Sequence, residues 1–126
     1  MSNEVRLALR PVPSSSADAR AFVDETLGQW QCDDFLDATR LLVSELVTNA
    51  VLHARTDVEL VLRATRYGLR VEVRDHSASL PVVRHYLDEA MTGRGLALVE
   101  ELAARWGVQQ LEDGKIVWFE LDEAPG

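Results

Sequence analysis

Apolar residues recur along the chain with two different periods, and the change of period separates strands from helices. Near the start, Val5, Leu7 and Leu9 alternate with polar residues, which is typical of a strand with one buried face. Elsewhere apolar residues recur every three to four positions, as in helices that pack one side on a core. The predicted helices are Ala17 to Trp30, Phe35 to Ala54 and Leu96 to Trp106, and the further strands are Val58 to Thr65, Leu69 to Arg74, Val108 to Leu111 and Lys115 to Leu121.

Glycine-containing turns join neighbouring strands in this pattern. Tyr67-Gly68 and Asp113-Gly114 each separate two strand-like runs and predict hairpins, and Gly107 is expected to end the third helix. Hairpins between sequential strands favour a mixed, mostly antiparallel sheet with helices on one face. The pattern therefore predicts an α/β (α+β) two-layer sandwich and disfavours a doubly wound dinucleotide fold.

Length, charge and cysteine content exclude several classes of protein. A chain of 126 residues has the size of one domain, so we expect a single domain over residues 1–126. The lone Cys32 excludes an internal disulfide, and no Cys/His cluster has the spacing of a zinc site. The 21 acidic and 13 basic residues give a net charge of −8, which opposes direct binding to nucleic acid. With neither a signal-peptide pattern nor a membrane-spanning apolar run, we expect a cytoplasmic protein without membrane contact.

Three polar residues, Glu45, Asn49 and His53, lie four positions apart on the longest predicted helix. Each is displaced by only about 40° from the last around the helix axis, so they form one polar stripe. Polar groups buried among apolar neighbours without partners are costly, so this polar stripe requires either an internal hydrogen-bond network or a ligand cleft. The side of the helix expected to face solvent carries Asp37, Arg40, Ser44 and Thr48.

Two further segments carry candidate chemistry. Asp75 ends a predicted strand, where its carboxylate can accept a hydrogen bond from a ligand or simply form a turn. After an irregular stretch, Thr92 to Leu96 brings two glycines to the start of a helix. Backbone amides at such a position can approach phosphate oxygens closely, although a flexible loop before a helix explains the glycines equally well.

Taken in order, four segments resemble the successive nucleotide-binding boxes of the GHKL superfamily of ATPases and kinases. They are SELVTNAVLHA, RDHSASLP, TGRGLALVEEL and DGKIVWFEL. The resemblance covers nearly the whole chain and is closest to the small bacterial anti-sigma-factor serine/threonine kinases. It implies the Bergerat-type, histidine-kinase-like ATPase fold, with an ATP lid over about residues 78–94.

The resemblance also implies a role for individual residues. Glu45 matches the glutamate that activates the attacking hydroxyl, Asn49 matches the asparagine that coordinates Mg²⁺, and Asp75 matches the aspartate that binds the adenine amino group. His53 matches a structural histidine that closes the first box. The other nucleotide-binding positions implied in this way are Ser77, Gly93, Arg94, Gly95 and Leu96.

Two positions depart from the pattern of that superfamily. Ser77 stands where a glycine lets the backbone pass close to adenine, and Ile116 stands where a threonine helps to hold adenine. These departures motivate an alternative in which the chain is a regulatory protein-binding module with impaired ATP binding.

The function implied by the resemblance is that of an ATP- and Mg²⁺-dependent serine/threonine kinase of the anti-sigma type. Such a protein binds a sigma factor, phosphorylates an anti-sigma-factor antagonist protein, and tends to form a homodimer. A further alternative is the catalytic half of a split histidine kinase, although the chain before the first box is too short for a phosphoacceptor helical hairpin.

Overall fold

The computed structural model describes residues 3–76 and 95–123, which contain five strands, three α-helices and one 3-10 helix. The elements are β1 (Glu4–Leu9), α1 (Ser15–Gln29), a 3-10 helix (Asp33–Phe35), α2 (Leu36–His53), β2 (Val58–Ala64), β3 (Gly68–Asp75), α3 (Gly95–Leu102), β4 (Arg105–Leu111) and β5 (Gly114–Asp122). Among these helices, none combines the length and apolar character needed to span a membrane.

The strands form a single sheet in the order β1-β2-β3-β5-β4, and every neighbouring pair is antiparallel. Both predicted hairpins are present, since β2 pairs with β3 and β4 pairs with β5. The pairing of β3 with β5 joins the two hairpins into one sheet. The predicted two-layer sandwich with a mostly antiparallel sheet is confirmed.

The core lies between the helices and one face of the sheet. Alternate residues of each strand point to this helix-facing side because side chains in a strand alternate between the two faces. They pack against buried residues from all three α-helices. The contributors to this core include Val23 and Leu27 of α1, Leu42 and Leu46 of α2, Val99 of α3, Leu60 and Leu62 of β2, Val71 and Val73 of β3, and Val117 and Phe119 of β5.

The opposite side of the sheet, here called the open face, carries a network of charged side chains. At its centre Oε2 of Glu72 accepts hydrogen bonds from Arg63 (3.3 Å) and Arg70 (2.9 Å), and Oε1 accepts one from Nε of Arg74 (3.0 Å). Burial raises the pKa of Glu72, but the hydrogen bonds from Arg70 and Arg74 outweigh burial and lower that pKa overall. The Arg70 guanidinium also stacks on the ring of Trp118, 4.3 Å from its centroid.

The prediction for the end of the third helix is wrong. α3 ends at Leu102 instead of continuing to Trp106. The last helical bond runs from the amide of Ala103 to the carbonyl of Val99, and the next amide, that of Ala104, already donates to β5. Trp106 lies in β4, because a half-buried aromatic side chain fits a strand as well as it fits helical spacing.

Gly107 lies inside β4 and does not end a helix. It pairs with Trp118 on the neighbouring strand, and a Cβ at Gly107 would lie 2.9 Å from Nε1 of that indole. The glycine therefore provides room for the indole on the open face, a packing role that its position in the sequence does not reveal.

Candidate functional site

An ion pair lies at one end of the sheet on the helix-facing side. Asp75 is the last residue of β3 and pairs in register with Lys115, the second residue of β5. Nζ of Lys115 lies 2.6 Å from Oδ2 of Asp75, and the two side chains are 2% and 4% exposed. Charges removed from water in this way require close mutual contact, so this acid–lysine pair fixes the position of the Asp75 carboxylate.

Gly114 allows β5 to begin beside Asp75. A Cβ at Gly114 would lie 2.1 Å from the backbone oxygen of Asp75, a distance that no side chain can occupy. Gly114 was predicted as part of the Asp113-Gly114 hairpin turn. It therefore has a second role, because it lets this turn pass directly against the end of β3.

The polar stripe lies on α2. Glu45 and Asn49 are half-buried, whereas His53, at the end of the helix, is exposed. Within the part of the chain that the structure describes, Nδ2 of Asn49 is buried and makes no hydrogen bond. Leaving a buried amide unsatisfied is costly, and this observation favours the ligand cleft over a complete internal network.

Contacts with α1 set the rotation of α2 about its axis. Oγ of Ser16 lies 2.6 Å from Oγ1 of Thr48, and Nη1 of Arg20 donates to Oγ of Ser44 at 2.9 Å. The side of α2 expected to face solvent is therefore partly covered by α1. Because these contacts hold Ser44 and Thr48 against α1, the adjacent polar stripe is kept on a different side of the helix.

Ile116 does not point toward the site. Side chains alternate along β5, so Lys115 and Val117 face the helices while Ile116 faces the open side with Trp118. A threonine hydroxyl at position 116 would point away from the helix-facing side. The departure from the superfamily pattern at Ile116 therefore removes nothing from the candidate site.

The structure describes only some of the other predicted site positions. Ser77, Gly93 and Arg94 lie outside the described residues, as does the predicted ATP lid over about residues 78–94. Gly95 and Leu96 are the first two residues of α3. That helix packs against α2, so the backbone at Gly95 and Leu96, the end of the glycine-containing segment, lies in the same layer as the polar stripe.

Lys115 is the site residue that sequence reasoning missed. The sequence did contain an indication of it. Lys115 lies on the same face of β5 as Val117, Phe119 and Leu121, all of which are buried. A lysine in phase with a buried run predicts a buried charge, and a buried charge requires a partner.

The donor set fits a nucleotide-bound Mg²⁺ better than a metal held by protein alone. Across residues 3–76 and 95–123, no group of three or more His, Cys, Asp or Glu side chains has an arrangement that holds a metal ion. Mg²⁺ commonly keeps waters and takes most of its other ligands from phosphates, so a single amide oxygen from Asn49 is a sufficient protein contribution.

An antiparallel sheet covered by helices on one face, with a polar stripe on α2 and a buried acid at the end of β3, defines a two-layer α/β domain with a candidate nucleotide site. The sequence matches the family described as "Histidine kinase-like ATPase domain" over residues 9–121. The chain belongs to that family and is a GHKL-type ATPase domain.

A solved structure has a similar fold. It is described as the crystal structure of the RsbU and RsbW domains of Rv1364c from Mycobacterium tuberculosis, and it aligns with a TM-score of 0.68 and 18% sequence identity. The alignment covers 98% of this chain and 34% of that chain, so this protein spans about a third of its length. Comparison with curated proteins found no match.

Proposed function

We propose that the protein is an ATP-dependent serine/threonine kinase that acts as an anti-sigma factor. In this proposal it binds a sigma factor and phosphorylates an anti-sigma-factor antagonist protein. The observation that carries the proposal is the position of Glu45 and Asn49, one helical turn apart on α2, half-buried, with the Asn49 amide unsatisfied. Residues four apart are neighbours on a helix surface. In this proposal the Asn49 oxygen contributes to a metal, its unsatisfied nitrogen is available to donate to a ligand, and Glu45 accepts a proton.

Each residue of the site has a defined part in the proposed reaction. Bound Mg²⁺-ATP supplies the γ-phosphoryl group and the positive charge that stabilises its transfer. Asn49 holds the metal through its side-chain oxygen, and Asp75 accepts a hydrogen bond from the adenine amino group. Glu45 takes the proton from the attacking hydroxyl as that oxygen bonds to phosphorus and ADP departs.

The glycine-containing segment completes the nucleotide site in this proposal. Backbone amides of Gly93, Arg94, Gly95 and Leu96 approach the phosphates, with the start of α3 favouring their negative charge. Ser77 is small enough to lie beside the adenine ring, and residues 78–94 form the ATP lid. The net charge of −8 suits a partner protein with a basic surface.

The first experiment is calorimetric titration of the wild-type protein with ATP, with and without Mg²⁺. We expect binding that depends on Mg²⁺. Asn49→Ala should abolish that dependence, and Thr48→Ala is the matched control because Thr48 lies next to Asn49 in sequence but contacts α1. Wild-type protein that fails to bind ATP up to millimolar concentration would refute the kinase.

Phosphotransfer to an antagonist protein tests the second half of the proposal. Glu45→Ala should retain ATP binding and lose about 10²–10⁴ in transfer rate, because the hydroxyl then lacks its proton acceptor. Equal transfer by the wild type and Glu45→Ala would remove Glu45 from the reaction.

An alternative function is control of a partner by binding alone. Ser77 is the departure that still favours this alternative, since Ile116 lies on the open face. Tight partner binding by a protein that binds no ATP would support it against the kinase.

A further inference from the structure

A groove lies at the end of the sheet opposite the acid–lysine pair. Residues of the 3-10 helix, the first turn of α2, the end of α3 and the end of β5 line it. Lys115 is the second residue of β5 and Leu121 is the eighth, so the two lie about 20 Å apart along the strand. This groove, here called the end groove, is therefore separate from the acid–lysine pair.

Most of the side chains that line the end groove are apolar. They include Phe35, Ala38, Leu102, Ala103 and Leu121. Leu102 remains 41% exposed, so one wall of the end groove faces water. The volume is about 440 Å³, within the usual range of about 300–1,000 Å³ for binding pockets. The end groove can therefore accommodate a large apolar side chain from a ligand.

Three acidic residues, Asp34, Asp122 and Glu123, also line the end groove, and no basic residue of the described chain does so. Asp122 has a partner, since Nη2 of Arg105 lies 2.6 Å from its Oδ1. Asp34 and Glu123 take part in no ion pair within residues 3–76 and 95–123. Two carboxylates at the end groove are therefore available to a basic ligand.

The negative charge near the end groove also acts on Cys32, which is half-buried. Burial raises the pKa of the Cys32 thiol, and the charges of Glu123 and Asp33 raise that pKa further. The field of these acids is therefore not neutralised at Cys32.

We propose that the end groove binds a segment of a partner protein in which an apolar side chain is flanked by lysine or arginine. The apolar side chain packs against Leu102, Ala103 and Leu121, and the basic side chains pair with Asp34 and Glu123. An apolar pocket with polar groups around it is the usual arrangement of an interface hot spot. This inference is independent of nucleotide binding.

The charge of the chain favours this ligand over other occupants of the end groove. With a net charge of −8, two copies of the chain repel each other, and so do the chain and the phosphates of nucleic acid or anionic lipid. A basic protein segment is attracted both by the net charge and by the two unpaired carboxylates.

The test is an NMR titration of ¹⁵N-labelled wild-type protein with two capped peptides. Each peptide has a central pair of apolar residues, leucine in one and phenylalanine in the other, with an arginine on either side and glycine at both ends. We expect at least one peptide to shift the amide signals of Ala38, Ala103 and Glu123 saturably, with a Kd on the order of 0.1–1 mM at low salt. The absence of such shifts with both peptides up to about 5 mM would overturn the inference.

Altered peptides test the two parts of the proposed ligand on the wild-type protein. Replacing both arginines by glutamate should weaken binding by at least about tenfold, because the peptide is then repelled. Replacing the apolar pair by serine should have a similar effect, because the anchor is lost. Binding that stays within about twofold after either replacement would contradict the proposal. These comparisons remain decisive if a protein variant fails to fold.

Protein variants locate the binding at the end groove. Asp34→Asn combined with Glu123→Gln should weaken binding by about three- to tenfold, as expected for two partly exposed ion pairs. Glu112→Gln is the matched control, because Glu112 is an exposed acid in the turn before β5, at the other end of the sheet. An equal effect of the double variant and of Glu112→Gln would show that only the net charge matters and would overturn the inference.

A second pair of variants tests the apolar wall. Leu102→Ala should weaken binding by about fivefold, since it removes apolar surface that the anchor covers. Leu52→Ala is the control, because Leu52 is 60% exposed near the end of α2 and does not line the end groove. Affinity that is the same in both variants would contradict the proposed contact.

Analytical ultracentrifugation without peptide tests a second copy of the chain as the occupant. We expect the wild type and Leu102→Ala to have the same association state. A wild type that self-associates, together with a monomeric Leu102→Ala, would assign the end groove to a second copy and overturn the inference.

Discussion

The two faces of the sheet handle charge in opposite ways. On the helix-facing side, the acid–lysine pair joins two side chains that are almost completely buried. On the open face Glu72 is shared among Arg63, Arg70 and Arg74, and Glu120 is shared between Arg70 and Arg105. The first arrangement brings two deeply buried side chains into close contact, whereas the second spreads its ion pairs over several partly exposed side chains.

This difference indicates which face is suited to a specific site. Removing one member of a close buried ion pair leaves the other without that counter-charge. A carboxylate shared among several arginines retains partners after any single loss. Val61, on the same face as these arginines, is buried. The open face therefore distributes its charge over a network, whereas the acid–lysine pair depends on one close contact between buried charges.

The largest expected effect is on the acid–lysine pair. Lys115→Met should lower the free energy of unfolding by about 3–5 kcal/mol, because it leaves Asp75 buried without its counter-charge. Urea denaturation at pH 7 measures this loss. The double variant Asp75→Asn with Lys115→Met should recover most of it, and a single variant that costs less than about 1 kcal/mol would mean that Asp75 has adequate alternative partners.

The next effect concerns Glu72 at the centre of the open-face network. Glu72→Gln should cost about 2 kcal/mol at pH 7, since it weakens hydrogen bonds to charged arginines. The lowered pKa of Glu72 in the folded state means that its contribution is complete above the unfolded-state value of about 4.3 and is lost as the pH falls through the folded-state value.

The pH dependence distinguishes the network from ordinary acid sensitivity. Between pH 7 and pH 3 the wild type should lose more stability than Glu72→Gln in parallel urea titrations. Glu100→Gln, at an exposed position on α3, is the control and should follow the wild type. Identical slopes for the wild type and Glu72→Gln would show that the network contributes nothing that depends on this proton.

A smaller effect is expected where Trp118 packs over Gly107. Gly107→Ala places a methyl group 2.9 Å from Nε1 of the indole, so the ring must shift on the open face. We expect a loss of about 1 kcal/mol by chemical denaturation. Gly28→Ala is the matched control, because a Cβ there meets nothing within 4 Å in helix α1, and it should instead gain about 0.4–1 kcal/mol. A stabilising Gly107→Ala would contradict the packing.

The smallest effect is expected for Arg105, at the edge of the sheet. Its guanidinium contacts Glu120 at 2.8 Å and Asp122 at 2.6 Å, yet half of the side chain is exposed. Arg105→Ala should lower the melting temperature by less than about 3 °C, and the difference should vanish in high salt because exposed ion pairs are screened. A decrease in melting temperature that persists at high salt would show that salt does not screen the ion pairs of Arg105. These open-face ion pairs would then behave like the buried acid–lysine pair.

The sequence predicted the regular elements better than their junctions. The long helix expected over Phe35 to Ala54 is observed as Leu36–His53, because its apolar spacing continues without a breaker. The passage from α3 to β4 was misplaced, since Trp106 fits both periods and only pairing with β5 decides between them. The Asp113-Gly114 turn predicted the hairpin, but it did not indicate how far the pairing extends back toward α3.

The residues of the candidate site differ in the same way, because some follow from local spacing and others depend on strand pairing. The polar stripe on α2 follows from spacing within a single helix, so local reasoning could find it. The contact between Lys115 and Asp75 joins two strands and required the sheet register, although the alternation of β5 already placed a lysine among buried positions. The apparent defect at Ile116 also needed the register, because only the face of the strand shows that the side chain points away.

The strand order also has a consequence for how the site arises during folding. β2 and β3 pair as a local hairpin, but Asp75 and Lys115 are about 40 residues apart and meet only when β5 pairs with β3. Contacts between such distant residues carry a larger loop-closure cost than local hairpins. A nascent chain that has emerged from the ribosome through β3 would therefore contain the acid but not its lysine, and the buried ion pair would form only once the β4–β5 hairpin has been synthesised.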